Sequence, residues 1–418
     1  MRHGIYIHIP FCRSKCDYCS FYSIPVLDNS IIDSYIEAMG LKTHQTTISD
    51  NSIIDSSVKA MGLKTHQTTV SDNNIIESYV KALLREIDFI TKSYKNTSAV
   101  DTVYFGGGTP SLLHPKQIMK ILNFIRERFI LESNPEITIE MNPNDLNYDK
   151  LSGYTDAGIN RIVLGIQSLN NEMRENIGRR GDNIDIADIE LFFSKKDYIK
   201  CIDIMAGLPG ENKSILLNDL ETITLYRPEH ISLYLLSVDE DTPLGKRFYP
   251  DDDFESMQVA LWRIAMDFLT ERGYNHYEIS NYALAGFEAR HNSKYWDFTP
   301  YYGFGSGAHS FVSGKRYSNR MSISDYIKSA EFKYDIDIPN ENNRIVEFVM
   351  TSLRRKIGFS SDEFKSVTSI PIPQSIILEL NRLISEDMIN HENERYFLSK
   401  NGIYYADSII YRLTEKYL

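Results

Sequence analysis

Short apolar runs alternate with longer helical patterns along the first 245 residues of the chain. The runs at 5–9, 100–105, 136–141, 161–166, 201–205 and 231–236 predict strands, because strands of a buried parallel sheet are short and nearly continuously apolar. Between most of them, apolar residues recur at helical spacing, as in the segment 116–129. Six strand–helix units favour a parallel sheet with right-handed crossovers. The pattern therefore predicts an α/β protein built on a partial (β/α)6 barrel.

The alternation weakens after residue 245, and the rest of the chain predicts smaller units. A helix is predicted at 255–272, followed by a loop rich in aromatic residues, Gly and His at 274–311. Residues 345–418 look mainly helical. We therefore expect three domains, namely the barrel at 1–245, an extension at 246–335, and a smaller α+β or helical C-terminal domain at 336–418 that resembles a winged helix.

An internal repeat with a 22-residue period interrupts the chain after the first predicted strand. One copy starts at Asp28, a nearly identical copy starts at Asp50, and a third start at Asp72 continues into a different sequence. Two copies are too few to stack as a solenoid. We interpret 28–71 as a looped-out tandem duplication and 74–95 as the first helix of the barrel, because long insertions in exposed loops cost little closure entropy. A partner-binding arm is the alternative.

Composition excludes several classes of function. The 418 residues carry a net charge of −12 and a pI near 5.4, which argues against a general nucleic-acid binder. No apolar run approaches the ~20 residues that a membrane-spanning helix needs. Only four cysteines occur, which suits a reducing compartment. We therefore expect a cytoplasmic protein without a membrane span.

Three of the four cysteines follow the first predicted strand within eight residues. Cys12, Cys16 and Cys19 have the spacing C-x3-C-x2-C, and Cys201 lies far away in the sequence. Thiolates favour soft metals, and three of them would leave one iron of a [4Fe–4S] cluster open to an exchangeable ligand. A zinc site with a distant fourth ligand is the alternative. A disulfide is disfavoured, because three clustered thiols cannot all pair.

Polar or glycine-rich segments follow the other predicted strands. The second strand ends in Gly106-Gly107-Gly108-Thr109-Pro110, where glycines allow close backbone approach to a ligand. Glu140, Gln167 and Asp203 lie at or near the ends of the next three strands. The carboxyl ends of barrel strands form one face, so these groups are expected to line the barrel mouth.

The cysteine spacing and the GGGTP element resemble the radical S-adenosylmethionine (SAM) superfamily. Nearly the entire chain outside the insertion resembles its oxygen-independent coproporphyrinogen III oxidase-like family. This resemblance implies that Cys12, Cys16 and Cys19 hold a [4Fe–4S] cluster with SAM as the exchangeable ligand. It also implies that SAM contacts eight residues, which are Tyr6, Gly107, Gly108, Thr109, Glu140, Gln167, Arg179 and Asp203. The sequence departs from the pattern of this family at two places. Gly181 stands where relatives often have His, and the segment between Arg179 and Asp203 is one residue shorter than in relatives.

Two further features resemble the HemW branch of that family, which is taken to bind and transfer haem. Phe21 occupies the position where the dehydrogenase branch has an additional cysteine. The segment His291-Asn292-Ser293-Lys294-Tyr295-Trp296 matches the branch motif HNxxYW. Haem requires an axial ligand and an apolar slot, so we predict His291 as the haem ligand and His309 as the second candidate. A hydrogen-bonded structural histidine is the alternative.

Three functions remain open at this stage. The first is a haem chaperone that carries the cluster, SAM and haem, with an unidentified acceptor protein, a respiratory protein being one candidate. The second is a radical SAM dehydrogenase acting on coproporphyrinogen III in porphyrin biosynthesis. The third is an iron–sulfur electron carrier without SAM chemistry, which the SAM residues disfavour. We assign no catalytic residue, and we leave a homodimer open.

Overall fold

The structure is a computed structural model that describes residues 2–26, 72–93, 99–179 and 184–418. The predicted insertion at 28–71 lies outside the described residues, as does Gly181. The fold below therefore concerns the barrel, its extension and the C-terminal segment.

Seventeen strands are assigned in the described residues. Those of the barrel half are β1 (His3–Ile9), β2 (Phe11–Cys12), β3 (Ile24–Pro25), β4 (Val100–Gly107), β5 (Leu131–Met141), β6 (Arg161–Gln167), β7 (Ile199–Ala206) and β8 (His230–Leu235). Those of the second half are β9 (Asn275–Glu278), β10 (Asn281–Ala283), β11 (Tyr301–Phe304), β12 (His309–Val312), β13 (Lys315–Ser318), β14 (Asp335–Asp337), β15 (Phe359–Ser360), β16 (Ile389–Glu392) and β17 (Arg395–Leu398).

Thirteen α-helices connect or follow these strands in the described residues. Those up to the end of the sixth barrel unit are α1 (Asp72–Ser93), α2 (Pro115–Arg128), α3 (Tyr148–Ala157), α4 (Asn171–Asn176), α5 (Ile186–Ser194), α6 (Lys213–Leu225) and α7 (Asp252–Glu271). The remaining helices are α8 (Arg290–Trp296), α9 (Ile323–Lys328), α10 (Glu341–Ser352), α11 (Ser361–Thr368), α12 (Gln374–Ser385) and α13 (Ala406–Thr414).

The six predicted barrel strands are confirmed as one parallel array in the order β1-β4-β5-β6-β7-β8. Successive side chains of β1 point to opposite faces of the sheet, as in any β-strand. Ile5, Ile7 and Ile9 are fully buried in the core, which also contains apolar residues of the surrounding helices. Tyr6 and His8 alternate with them on the inner face, where the Tyr6 ring stacks on Tyr104 of β4 and its hydroxyl lies 3.0 Å from His8 Nδ1. The inner surface of the barrel is therefore polar, and the apolar core lies outside it.

The sheet continues on both sides of the barrel strands, into the segment predicted as a loop at 274–311. β8 pairs with β10, which pairs with β9, while β11 pairs in parallel with β1 and continues through β12, β13 and β14. The loop prediction is therefore wrong, because this segment contributes four short strands and one helix. Strands of three or four residues carry little local signal, and their pairing with distant barrel strands decides their structure. The domain boundary predicted at 245 stays a prediction, and sheet pairing crosses it.

The C-terminal segment has a hydrophobic core separate from that of the barrel. Buried residues of α10, α11, α12 and α13 form this core together with Phe359, Ile389 and Leu398 of a three-stranded sheet. Helices packed on a small antiparallel sheet agree with the predicted α+β class. Among the described residues, none of the helices combines the length and the apolar character that crossing a bilayer demands.

A buried carboxylate on α1 ties this helix to the extension. Glu86 is fully buried, and its oxygens accept hydrogen bonds from Tyr326 Oη (2.6 Å), Tyr334 Oη (2.7 Å), Asn319 Nδ2 (2.8 Å) and Gly305 N (2.7 Å). Burial raises the pKa of Glu86, while these donors oppose the shift. The four donors lie between the end of β11 and the start of β14, so Glu86 ties that region to α1.

We predict that Glu86→Ala lowers the free energy of unfolding by about 3 kcal/mol, because four buried donors lose their acceptor. Glu86→Gln should lower the free energy of unfolding less, because the amide has the same shape as the carboxylate and keeps one acceptor oxygen. Glu127, whose side chain is 65% exposed, provides a control in Glu127→Ala, for which no comparable change is expected. Urea unfolding measures all three, and equal losses in Glu86→Ala and Glu127→Ala would contradict the prediction.

Candidate functional site

The three clustered cysteines lie on the loop that leaves β1. Cys12 is buried, and Cys16 and Cys19 are half-buried, all as free thiols. Cys201 lies apart from this loop inside the barrel, where its Sγ is 3.2 Å from Arg161 Nη1. The cysteine loop therefore presents three thiols without the fourth cysteine.

Among the residues that the structure describes, no group of three or more His, Cys, Asp or Glu side chains converges closely enough to hold a single metal ion. An iron–sulfur cluster makes a different demand, because its thiolates bind different irons. Three soft thiolate ligands on one short loop fit such a cluster in their chemistry.

One ion pair anchors the cysteine loop between its first two cysteines. Arg13 Nη2 lies 2.8 Å from Asp145 Oδ1, and the Asp145 side chain is fully buried. Ser111 Oγ donates to the other carboxylate oxygen at 2.7 Å, and Lys150 Nζ lies 3.4 Å from Oδ1. The loop is thereby tied to the segment that follows β5.

A second ion pair anchors the loop between its last two cysteines. Asp17 pairs with Arg247, whose Nη2 also donates to the carbonyl oxygen of Asn176 at 2.9 Å. The backbone of Asp17 donates to Ile177 O at 3.0 Å and accepts from Leu244 N at 2.8 Å. The cysteine loop is therefore held from both sides before any cofactor is considered.

The glycine-rich turn after β4 lies directly against the start of the cysteine loop. Gly108 N donates to Ile9 O at 2.8 Å, and Thr109 N donates to Phe11 O at 2.7 Å. A Cβ atom on Gly108 would lie 2.6 Å from Phe11 O, so a side chain there would push the two segments apart. Gly107 has a φ of +113°, a conformation that only glycine adopts readily.

Glu140 lies at the end of β5 beside this turn. Its Oε1 accepts from Tyr104 Oη at 2.8 Å, and its Oε2 accepts from Gly107 N at 3.2 Å. Burial, and secondarily the charge of Asp203, raise the pKa of Glu140 to about 7. A Cβ on Gly106 would lie 2.9 Å from Oε1, so the glycine leaves room for the carboxylate. A cationic ligand beside Glu140 would favour its ionised form.

Gln167 of β6, Asp203 of β7 and Arg179, which follows helix α4, lie near the carboxyl ends of the next two strands. Burial raises the pKa of Asp203 to about 6, opposed by a hydrogen bond with Ser232 and by the nearby charge of Arg179. Oδ1 of Asp203 is buried and has no hydrogen-bond partner among the described residues. Arg179 Nη1 donates to Gly165 O at 2.7 Å, and Gln167 has a positive φ of 68° at a break in the pairing of β6 with β7. Such a strained residue and an unpaired buried oxygen are typical of a ligand site.

The aromatic side chain of Tyr6 joins this group from β1. Tyr6 Oη lies 3.0 Å from His8 Nδ1, and its ring stacks on Tyr104 with centroids 6.1 Å apart. His8 Nε2 in turn lies 3.0 Å from the carbonyl oxygen of Tyr22, just beyond the last cysteine. The barrel interior is thus connected to the cysteine loop through side chains of β1.

Sequence reasoning did not single out Tyr18, which lies between Cys16 and Cys19. Burial raises its pKa, and both Arg179 and Asp203 lie near enough to affect it electrostatically. Tyr18 therefore belongs to the same group as the strand-end residues. Its position between two loop cysteines was the available signal.

His291 lies at the opposite, N-terminal end of the barrel strands. It is buried, its backbone N donates to Glu136 Oε1 at 2.9 Å, and its ring stacks on Tyr104 with centroids 5.2 Å apart. Nδ1 is 2.8 Å from Thr102 Oγ1 and Nε2 is 2.9 Å from Tyr295 Oη. Burial lowers the pKa of His291 to about 3. The structure therefore does not bring His291 together with the cysteine loop, and both its ring nitrogens are hydrogen-bonded.

The helix that carries His291 closes the base of the barrel. Lys294 Nζ forms a buried ion pair with Asp101 Oδ1 at 2.7 Å. A Cβ on Gly4 of β1 would lie 3.0 Å from the Lys294 side chain and 3.2 Å from the His291 ring. The HNxxYW segment thus packs tightly against the first residues of β1 and β4.

Comparison with known proteins agrees with this architecture. The family model described as the Radical SAM superfamily matches residues 6–223. The chain belongs to that superfamily, which implies a [4Fe–4S] cluster and SAM.

Two relatives and one solved structure narrow the assignment within the superfamily. "Heme chaperone HemW" of Escherichia coli is 31% identical, with 97% of each chain covered. "Heme chaperone HemW" of Lactococcus lactis is 28% identical over 100% of this chain and 97% of the relative. The structure of coproporphyrinogen III oxidase (HemN) from Escherichia coli shares the fold, with a TM-score of 0.75, 18% identity, and 99% of this chain and 91% of that chain covered. Within the superfamily, the chain therefore belongs to the HemW branch of the coproporphyrinogen III oxidase-like family.

We predict that Arg13→Met and Arg247→Met shorten the lifetime of the cluster. Each variant removes one anchor of the cysteine loop, and a more mobile loop exposes the thiolates to competing chelators. Loss of iron to a chelator, followed by absorbance, should become several-fold faster. Thermal unfolding of the cluster-free chain should change less, because Asp145 keeps its contacts with Ser111 and Lys150, and both arginine side chains are about half exposed. Arg263→Met, which alters an arginine stacked on Tyr404, is the matched control. Unchanged iron loss in both loop variants would contradict the anchoring role.

We also predict a pH dependence that originates at Glu140. A carboxyl group with a higher pKa in the folded chain makes folding less favourable as pH rises from its unfolded pKa to its folded pKa. For Glu140 this interval runs from the ordinary value of 4.5 to about 7. Between about pH 5 and about pH 7.5, the cluster-free wild type should lose about 1–2 kcal/mol more unfolding free energy than Glu140→Gln. Urea unfolding at both pH values measures this difference, and parallel losses would refute it.

Proposed function

We propose that this protein is a haem chaperone, which binds haem and passes it to an acceptor protein, and which carries a [4Fe–4S] cluster with SAM as its exchangeable ligand. Its relatives along the full length are named haem chaperones. The observation that carries the proposal is the side chain two residues beyond Cys19. There, Phe21 is 69% exposed, where the dehydrogenase branch has a thiol.

In this proposal, Cys12, Cys16 and Cys19 hold the cluster. The donor set fits, because three thiols share one loop that is anchored on both sides. When bound, the cluster supplies an iron that is open to SAM. The protein's own contribution is to hold the loop and to keep a polar pocket beside it.

SAM would be bound by the residues at the carboxyl ends of the barrel strands. Glu140 and Asp203 suit a cationic ligand, because burial disfavours the charge of both carboxyl groups and a positive charge beside them would favour it. The unpaired Oδ1 of Asp203 offers an acceptor for a hydroxyl or amine. Gly107, Gly108 and Thr109 would contribute the backbone surface that a ligand can approach closely. The remaining contacts assigned by resemblance are Tyr6, Gln167 and Arg179.

An exposed aromatic ring at Phe21 bears directly on the choice between chaperone and dehydrogenase. A phenyl ring can neither ligate iron nor transfer a proton, but it can pack against a flat apolar ligand. Residues 1–245 would hold the cluster and SAM, and residues 246–335 would add strands and helix α8 to the same sheet. The domain at 336–418 would cover the barrel. We place the protein in the cytoplasm, with an acceptor of unassigned identity.

A haem titration beside a substrate assay tests the proposal. Anaerobic reconstitution should give about four irons per chain, with an electron paramagnetic resonance spectrum that changes when SAM is added. Haemin should bind stoichiometrically with a shifted Soret band, and coproporphyrinogen III should not be consumed. If the protein consumed coproporphyrinogen III and did not bind haemin, the chaperone proposal would be wrong and the protein would be a dehydrogenase.

Two cysteine variants test which cysteines hold the cluster. Cys12→Ala should abolish both the iron content and the response to SAM, because the cluster loses one of its three thiolates. Cys201→Ala is the control, since Cys201 is buried beside Arg161 and away from the loop. Loss of the cluster in Cys201→Ala alone would contradict the ligand assignment.

A further inference from the structure

The histidine expected from the sequence to bind haem is poorly placed for it. Both ring nitrogens of His291 are hydrogen-bonded, to Thr102 and to Tyr295, and the side chain is 1% exposed. Ligation of iron through either nitrogen requires one of these buried hydrogen bonds to break. It also requires the porphyrin to enter the base of the barrel, where Gly4 already packs against the helix.

His309 has the opposite environment. It is the first residue of β12 and is exposed, and within the described part of the chain its ring has no hydrogen bond. Phe311, two residues further on, pairs with Tyr301 of β11. Because alternate residues of a strand share a face, His309 faces the same side as Tyr301, which is the side of the barrel interior. His8 of β1 lies close enough to affect His309 electrostatically.

The turn that carries His309 is held in place by several hydrogen bonds. Gly305 N donates to Glu86 Oε2 at 2.7 Å, and Ser306 N donates to Tyr79 Oη at 3.0 Å. Tyr79 Oη in turn donates to His8 O at 2.8 Å. Asn319 N donates to Ala308 O at 2.9 Å, which ties the turn to the end of β13. His309 is therefore presented from a preorganised backbone, which lowers the entropy lost when a ligand binds.

Two arginine side chains lie near enough to affect His309 electrostatically. Partial burial, followed by the positive charges of Arg320 and Arg316, lowers the pKa of His309. Arg320 pairs with Asp335 at 3.3 Å, but both side chains are mostly exposed, at 76% and 66%. Such exposed pairs are weak, so Arg320 can exchange its partner for another carboxylate.

Aromatic surface lies beside the same turn. A Cβ on Gly307 would lie 2.7 Å from the Tyr22 ring, so this ring packs on the backbone two residues before His309. Tyr22 is 43% exposed and its neighbour Phe21 is 69% exposed. These rings offer flat apolar area next to an exposed imidazole and an exposed arginine, which together match a metalloporphyrin with carboxylate side chains.

We propose that haem binds at this face beside the barrel mouth, with His309 as its axial ligand, Arg320 at a propionate, and Tyr22 and Phe21 against the porphyrin. The inference rests on the proposed haem-chaperone function and assigns its site. It places haem next to the cysteine loop, at the end of the barrel opposite His291.

Haemin titration of the reconstituted full chain tests the ligand. His309→Ala should weaken haemin binding at least tenfold, whereas His291→Ala should retain it, with circular dichroism confirming that each variant is folded. His391→Ala controls for adventitious ligation, because His391 is an exposed histidine on β16 of the C-terminal sheet. Wild-type affinity in His309→Ala, or loss of binding in folded His291→Ala alone, would overturn the assignment.

A spectroscopic variant distinguishes ligation from a structural effect. His309→Tyr keeps a donor at the same position, so haemin should still bind but with a Soret band and spin state altered by the phenolate. An unchanged spectrum would show that another residue ligates the iron. If wild-type protein binds no haemin at all, the proposed chaperone function itself fails, which is a separate outcome from loss of the His309 assignment.

The role of Arg320 has its own test. Arg320→Met should weaken binding of haemin several-fold, but leave binding of haemin dimethyl ester unchanged, because the ester has no propionate charge to pair. Equal effects on both porphyrins would contradict the contact between Arg320 and a propionate.

Discussion

The hydrogen bonds between the glycine-rich turn and the exit of β1 are the interaction on which the site depends. Gly108 and Thr109 bind the backbone of Ile9 and Phe11, immediately before Cys12. This contact is available only because Gly108 has no Cβ. It fixes the direction in which the chain leaves β1, and therefore where all three cysteines lie relative to the strand ends that would receive SAM.

Many of the side chains in the barrel interior are polar, and this determines much of its electrostatics. Glu140 and Asp203 are acids held where burial disfavours their charge, and Arg179 is the nearby cation that partly compensates for it. At the base, the buried pair of Lys294 with Asp101 closes the barrel without an apolar plug. The unpaired oxygen of Asp203 lies toward the carboxyl ends of the strands, where a bound ligand would complete its hydrogen bonding.

The two ends of the barrel have different roles in this arrangement. The cysteine loop, the glycine-rich turn and His309 gather around the carboxyl ends of the strands, while helix α8 with His291 closes the amino ends. Tyr104 contacts both sides, since its hydroxyl donates to Glu140 and its ring stacks on His291. His291 of the HNxxYW segment thereby helps to orient Glu140 through the ring of Tyr104. A branch-specific motif can in this way influence a cofactor pocket that it does not line.

The sequence by itself determined the six barrel strands, the α/β class, the three-cysteine loop and the GGGTP turn, because these follow from local periodicity and close spacing. It also ordered Glu140, Gln167 and Asp203 correctly on successive strands. Only the tertiary structure decided that 274–311 forms strands, that Asp145 and Arg247 anchor the cysteine loop, and that His291 is enclosed while His309 is exposed. These features depend on contacts between segments that are distant in the sequence, such as β11 with β1, Arg13 with Asp145, and His291 with Thr102. Local periodicity does not indicate which distant segment will supply the partner of a backbone group or of an imidazole.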